Sequence, residues 1–203
     1  MSELVIIGAS AMGREVCSYA IEIGMKVRGF LDSRPTVLSG FVGYPPILDS
    51  CDGYRIHEND VFVCAVGEPE AKRRYAETIL DRGGRFVTVL HPTAYIGSNV
   101  VIGEGCIICP HVTITNDVRI GSHVIVNNNV SVSHDNIIGS YTTICPGCCL
   151  AGRVNVGEGC FIGTASTIIP DVSLGDNMYA GAGSVVVQSF ASGRIMGVPA
   201  KLK

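Results

Sequence analysis

The pair His134-Asp135, in the segment Val132-Ser-His-Asp-Asn-Ile137, sets an imidazole beside a carboxylate. An imidazole titrates near neutral pH, so such a pair suits proton removal from an attacking amine or hydroxyl. The reading without chemistry is a surface turn histidine. A second constellation, Gly8-Ala-Ser10-Ala-Met12-Gly13, sits between an apolar run and a helical segment, with Asp32 ending the next strand. Its spacing is close to a dinucleotide-binding turn, but Ser10 stands where a middle glycine would let the backbone approach a pyrophosphate. The N–H groups of a following helix still face phosphate. The segment reads as a pocket for a sugar-nucleotide diphosphate or nucleoside; a ligand-free βα turn and an NAD site are the alternatives. Two Cys-x-x-Cys pairs, Cys106/Cys109 and Cys145/Cys148, have a spacing that zinc also uses.

The elements that must position these residues fall into two halves. From 96 to 186 an aliphatic residue or alanine recurs at every sixth place without a miss, from Ile96, Ile102 and Ile108 to Ala180 and Val186. Such a period fits neither a helix stripe nor an alternating strand; it predicts a β-solenoid whose short strands stack on their copies. Four places after each aliphatic comes a small or mid-sized residue, a series that Asn136 interrupts. Glycine often follows the aliphatic directly, as at Gly97, Gly103, Gly121 and Gly139, where φ > 0 would turn a tight corner. Before the repeat, strands are expected over 3–8, 26–32, 60–67 and 85–90. Helices are expected over 11–24 and 68–82, the latter with Ala71, Tyr75 and Ile79 on one side. Alternating strand and helix imply a small parallel α/β domain. The domains are then 1–90, 91–188 and a tail, 189–203, that leaves the repeat.

The pattern aliphatic-Gly-x-x-small-x resembles the hexapeptide-repeat acyltransferases. That resemblance implies a left-handed parallel β-helix with about three hexads per coil. On that geometry 18 residues make one coil, so Gly152 stands beside His134 at the same corner and offers an amide with no Cβ beside it. A base next to an exposed amide is what acyl transfer needs: one removes a proton, the other holds the developing oxyanion. Cys109 and Cys145 then lie two coils apart, roughly 10 Å, too far for one zinc whose thiolates bind at about 2.3 Å. The cysteines are read as packing thiols, and no metal is expected.

An N-terminal Rossmann-like domain, a His-Asp pair in the β-helix and the tail Gly197-Val-Pro-Ala-Lys201 together resemble the bacterial sugar O- and N-acetyltransferases of the NeuD/PglD type. The resemblance implies acetyl transfer from acetyl-CoA to a sugar, commonly the 4-amino group of a UDP-linked deoxysugar, in surface-glycan synthesis. It implies a homotrimer with acetyl-CoA between neighbouring β-helices. Carried over by position, His134 is the general base, Asp135 assists it and the Gly152 amide holds the thioester oxygen. Asn127, Gly152, Gly163, Ala182, Pro199 and Lys201 would contact acetyl-CoA. Gly8, Ser10, Met12, Gly13, Asp32 and Gly67 would hold the nucleotide sugar. Two positions depart from the subfamily: Met12 and Thr143 stand where it often has histidines. O-acetylation of sialic acid or another sugar, and a non-catalytic sugar-nucleotide-binding protein, are the competing functions. A zinc-dependent β-helical enzyme is disfavoured because no two histidines have a His-x4-His spacing.

Composition bounds the rest. The 203 residues carry nine cysteines and a net charge of −3. That balance gives no general nucleic-acid or anionic-membrane footprint. No apolar run reaches the roughly 18 residues of a spanning helix, and the start, Met-Ser-Glu-Leu, has no signal-peptide pattern. The cysteines are expected reduced, in a cytoplasm.

Overall fold

Short apolar runs ending near glycine make the first half a parallel sheet. The structure, a computed structural model, describes residues 2–203. Strand β1 (Glu3–Ile7), helix α1 (Ala11–Glu22), strands β2 (Val27–Leu31), β3 (Ile47–Asp49) and β4 (Asp60–Cys64), and helix α2 (Pro69–Leu80) follow in order. The strands are parallel, in the order β3-β2-β1-β4. All five residues of β4 are buried, as a strand covered on both faces must be. β3 lies just past Pro45-Pro46, beyond a stretch that reads as loop, and three residues are too few to show an alternation. The strand expected over 85–90 divides. Phe86 makes a single bridge to Phe62 of β4, whereas Val89–Leu90 (β5) pairs with Ile107–Ile108 and begins the second half.

From β5 onward, two-residue strands pair in parallel with partners one coil away, as Thr143 does with Ile125 and with Phe161. Three sheets result, the faces of a prism. Face 1 runs from β5 to Arg194–Met196 and Lys201–Leu202. Face 2 runs from Tyr95–Ile96 to Val185–Val186, and face 3 from Val101–Ile102 to Ser173–Leu174. The repeating aliphatics point inward; Ile108, Ile114, Ile144, Leu150 and Ile162 are fully buried. The tail does not leave the repeat as expected. Arg194–Met196 pairs in parallel with Tyr179–Ala180 as one more rung, and Lys201–Leu202 folds back on it antiparallel.

Two features of the hexad differ from expectation. Left-handed backbone falls three places after the aliphatic, as at Asp135 (φ 60°) and Arg153 (φ 58°), not at the glycine that follows it. That glycine answers a contact between coils: a Cβ on Gly139 would stand 2.5 Å from the carbonyl carbon of Gly157 and the nitrogen of Glu158. The small inward position is also a donor position. Cys106, Cys148 and Cys160 direct Sγ to a carbonyl 15 residues on, each at 3.1 Å, as Thr142, Ser166 and Asn136 do with hydroxyl or amide. The thiols serve there as small hydrophobes and weak donors at once. All nine cysteines are free, and no His/Cys/Asp/Glu group that could hold a metal ion occurs among the described residues.

The α/β half packs on face 1. Val89, Ile107, Ile125 and Thr143 point outward from that face yet are buried. The apolar core continues from Leu4, Ile6 and Val16 into Ile107 and Ile125. Lys72 of α2 is fully buried in the seam and donates to the Thr142 carbonyl at 3.0 Å and to Thr143 Oγ1 at 2.7 Å. The inward stripe of α2 is therefore Lys72, Ala76 and Ile79, one residue round from the stripe expected. At the other side of face 1, α1 meets the edge shared with face 2: Tyr19 lies edge-on to His91, whose Nε2 bonds Glu22. No helix among the described residues is long and apolar enough to cross a membrane.

Candidate active site

The turn from face 2 to face 3 stacks Ser98, Asn116, His134, Gly152 and Pro170 along one edge of the prism. Backbone bonds set the corner: Asp135 N–H donates to the Asn116 carbonyl at 3.1 Å, and Arg153 N–H to the His134 carbonyl at 2.9 Å. The buried Asn136 amide donates to the carbonyls of Ser133 and Ala151, both at 2.8 Å, and ties the His134 turn to the coil above. Asn136 thus positions the histidine. Its only sequence signal was the break it makes in the inward series.

His134 Nδ1 lies 2.7 Å from Asp135 Oδ2. With the Nδ1 proton donated to the carboxylate, Nε2 carries a lone pair and can act as a base. Both side chains are about half exposed, 53% and 52%, so the ring is open to a substrate. It lies directly over Gly152, where a Cβ would stand 2.6 Å from His134 Cε1 and 2.7 Å from Nε2. The Gly152 N–H donates to no group among the described residues. A basic nitrogen and a free amide therefore meet at one corner. That arrangement can take a proton from a nucleophile and hold the oxyanion formed as it attacks a carbonyl.

The turn after β1 opens on a cavity of about 430 Å³ lined by Gly8, Ser10, Met12, Asp32 and Gly67. Gly13 does not line it. A Cβ there would collide with the Gly8 carbonyl, so this glycine lets α1 pack closely on the turn. Asp32 is fully engaged: Oδ2 accepts from the Ala9 N–H and Arg34 Nη2, and Oδ1 from the Arg34 N–H and Nε, all at 3.0 Å. Burial pushes its carboxyl up, but the Arg34 guanidinium and the two amides outweigh this and hold it below the usual range. Asp32 braces the turn after β1, and Arg34, which the sequence reading passed over, adds a cation at the cavity mouth. A larger groove, about 750 Å³, opens between α2 and the stacked rings of Phe161 and Tyr179 and holds none of the expected site residues.

One chain does not bring the remaining expected residues together. Asn127, Gly163 and Ala182 lie on the edge between faces 1 and 2, and Pro199 and Lys201 on the face 1 hairpin. His134 and Gly152 lie on the edge between faces 2 and 3. Asn127 already donates Nδ2 to the Ile144 carbonyl at 3.0 Å. The cavity belongs to the half that covers face 1, opposite the His134 edge. Thr143 is buried against Lys72 on face 1 and does not reach His134.

Comparison with known proteins matches this architecture. Residues 3–79 match the PglD N-terminal domain, and 87–116 match the bacterial transferase hexapeptide (six repeats), and with it the left-handed winding. The acetyltransferase domain of PglB from Neisseria gonorrhoeae is 27% identical with a TM-score of 0.92, each chain covered in full. PerB from Caulobacter crescentus, solved with CoA and GDP-perosamine, is 30% identical over 100% of this chain and 98% of its own, with a TM-score of 0.92. WeeI from Acinetobacter baumannii is 25% identical over the whole of both chains, with a TM-score of 0.89. A search of curated proteins found no match.

Proposed function

The chain belongs to the PglD-type hexapeptide-repeat sugar acetyltransferases, and from that membership we propose that it moves an acetyl group from acetyl-CoA to the amine of a nucleotide-activated sugar. The acceptor we favour is a 4-amino sugar on a uridine diphosphate, destined for surface glycan. The observation that carries the reading is the His134 imidazole, bound to Asp135 through Nδ1 and lying over the side-chain-free Gly152. The acceptor amine attacks the thioester carbonyl while Nε2 of His134 takes its proton. Asp135 steadies the resulting imidazolium, and the Gly152 amide holds the tetrahedral oxyanion. Collapse of that intermediate expels the CoA sulfur, which leaves as the thiol with the proton His134 carries. PerB is a perosamine N-acetyltransferase, which favours an amine over a hydroxyl acceptor.

The nucleotide would sit in the cavity at Gly8–Met12, with its phosphates toward the α1 N-terminus and Arg34. In our reading the working unit is a cyclic homotrimer, with face 2 of each copy toward the axis. The outward residues of that face (Tyr95, Thr113, Ser131, Cys149, Thr167 and Val185) carry no charge, which suits burial between copies. The His134 edge of one copy then meets the Asn127 edge of the next, and acetyl-CoA lies between them. Nine free cysteines fit a reducing cytoplasm.

The test is CoA-thiol release with acetyl-CoA and a panel of UDP-, GDP- and dTDP-linked amino sugars. His134→Ala is expected to lower turnover roughly 10²- to 10⁴-fold while acetyl-CoA binding, measured by calorimetry, persists. Unchanged turnover in that variant removes His134 from the role.

A further inference from the structure

We propose that Pro170 is a positioning residue: it keeps the Gly152 amide free for the thioester by denying it a side-chain cap of the kind that three equivalent amides receive. The inference rests on the acetyl-transfer reading above. In this prism the amide two places past the aliphatic faces outward, and the side chain one coil on can turn down to bond it. Asn116 Oδ1 accepts from the Ser98 N–H at 3.1 Å, Ser140 Oγ from Ser122 at 3.1 Å, and Asp176 Oδ1 from Glu158 at 2.8 Å. The first of these caps lies on the same edge as His134.

The Gly152 corner is built the same way. Its carbonyl accepts from Asp171 N–H at 3.2 Å, as the Ser98 carbonyl accepts from Asp117 N–H at 2.9 Å. The residue one coil on is Pro170, which is exposed and offers no side-chain acceptor. An asparagine at 170 has the geometry that Asn116 uses over Ser98. It would occupy the donor that the oxyanion needs, and an oxyanion-hole donor is worth about 10²- to 10³-fold in kcat. On this account the amide is free because of the residue above it, not because of Gly152 alone.

The experiment pairs Pro170→Asn with Pro170→Leu, which has a similar shape and no acceptor. Both variants leave proline, so loss of the ring is common to the two. Amide exchange at Gly152, read by NMR in the absence of substrates, is expected to slow in the Asn variant relative to the Leu variant. The kcat of the Asn variant is expected to fall at least about tenfold below that of the Leu variant, with similar KM for acetyl-CoA. Equal Gly152 exchange in the two variants, or equal kcat, overturns the proposal. The underlying reading fails separately: normal turnover in His134→Ala would refute acetyl transfer through His134 without touching the exchange result.

Discussion

The role proposed for His134 depends on what two neighbours lack. Among the described residues Asp135 Oδ2 has no partner but the ring, and Gly152 has no side chain to push the ring away. Gly152→Ala separates the steric from the amide role, because the variant keeps the N–H. The added methyl meets Cε1 and Nε2 well inside van der Waals contact, so the ring must rotate off the corner. A ring moved by an ångström is out of line with an attacking amine, a displacement worth about 10²-fold in rate. The expected outcome is a folded protein with kcat reduced on that scale and acetyl-CoA binding retained. Wild-type kcat in this variant would mean that the ring does not need its present place over Gly152.

At the level of elements, the seam between α2 and face 1 holds a cation where a helix stripe normally holds an aliphatic. Burial pulls the Lys72 ammonium down to about 7, against about 10.4 in an unfolded chain. Above pH 7 the unfolded chain therefore binds a proton that the folded one has released, so this group makes stability rise with pH, by at most about 1.4 kcal/mol per unit, up to pH 10. The cysteines facing Lys72 act in the opposite sense within that window. Burial holds Cys64 up to about 12 and Cys106 to about 11 and raises Cys145, so these thiols stay protonated in the fold while unfolded ones ionise near about 8.5, and they make stability fall as pH rises past about 8. His123, driven down to about 4 by burial and Lys72, acts below about pH 6.5. Glu68, at the start of α2, is occupied by the Glu70 and Ala71 amides. The thiol contribution is common to wild type and Lys72→Met, so the wild-type denaturant midpoint should gain on that of Lys72→Met from pH 6.5 through 7.5 to 8.5; parallel slopes would assign the pH dependence elsewhere. This seam also marks where the sequence stopped being readable. The hexads were legible because every coil repeats the same inward position, so sixteen residues vote for one register. Lys72 was not, since a helix stripe is sought among apolar residues and a buried lysine shifts it by one. The corner glycines were found but explained by φ, when close approach between coils was the cause. The final rung at Ile195 escaped because the six-residue spacing shortens after Val186: Phe190 bridges Leu174 on face 3, and Ile195 then pairs with Ala180 on face 1.

For the whole molecule, the decisive fact is that the cavity at Gly8–Met12, where we place the nucleotide, and His134 lie on opposite sides of one chain. The α/β half covers face 1, and His134 stands on the edge where faces 2 and 3 meet. On the proposed function, a sugar held in one chain's cavity would therefore need another chain's histidine. Two inactive variants test this. His134→Ala removes the base and leaves the cavity; Ser10→Tyr fills the cavity at its rim and leaves the base. Each homotrimer should be nearly silent. Co-expressed with different tags and purified through both, the chains form mixed rings. In a cyclic ring each copy has one neighbour on each side, so a mixed trimer has one junction at which an open cavity faces an intact histidine. Activity per trimer should return to about a third of wild type. If cavity and histidine served each other within a chain, every chain in the ring would carry a lesion, and the mixed trimers would stay silent.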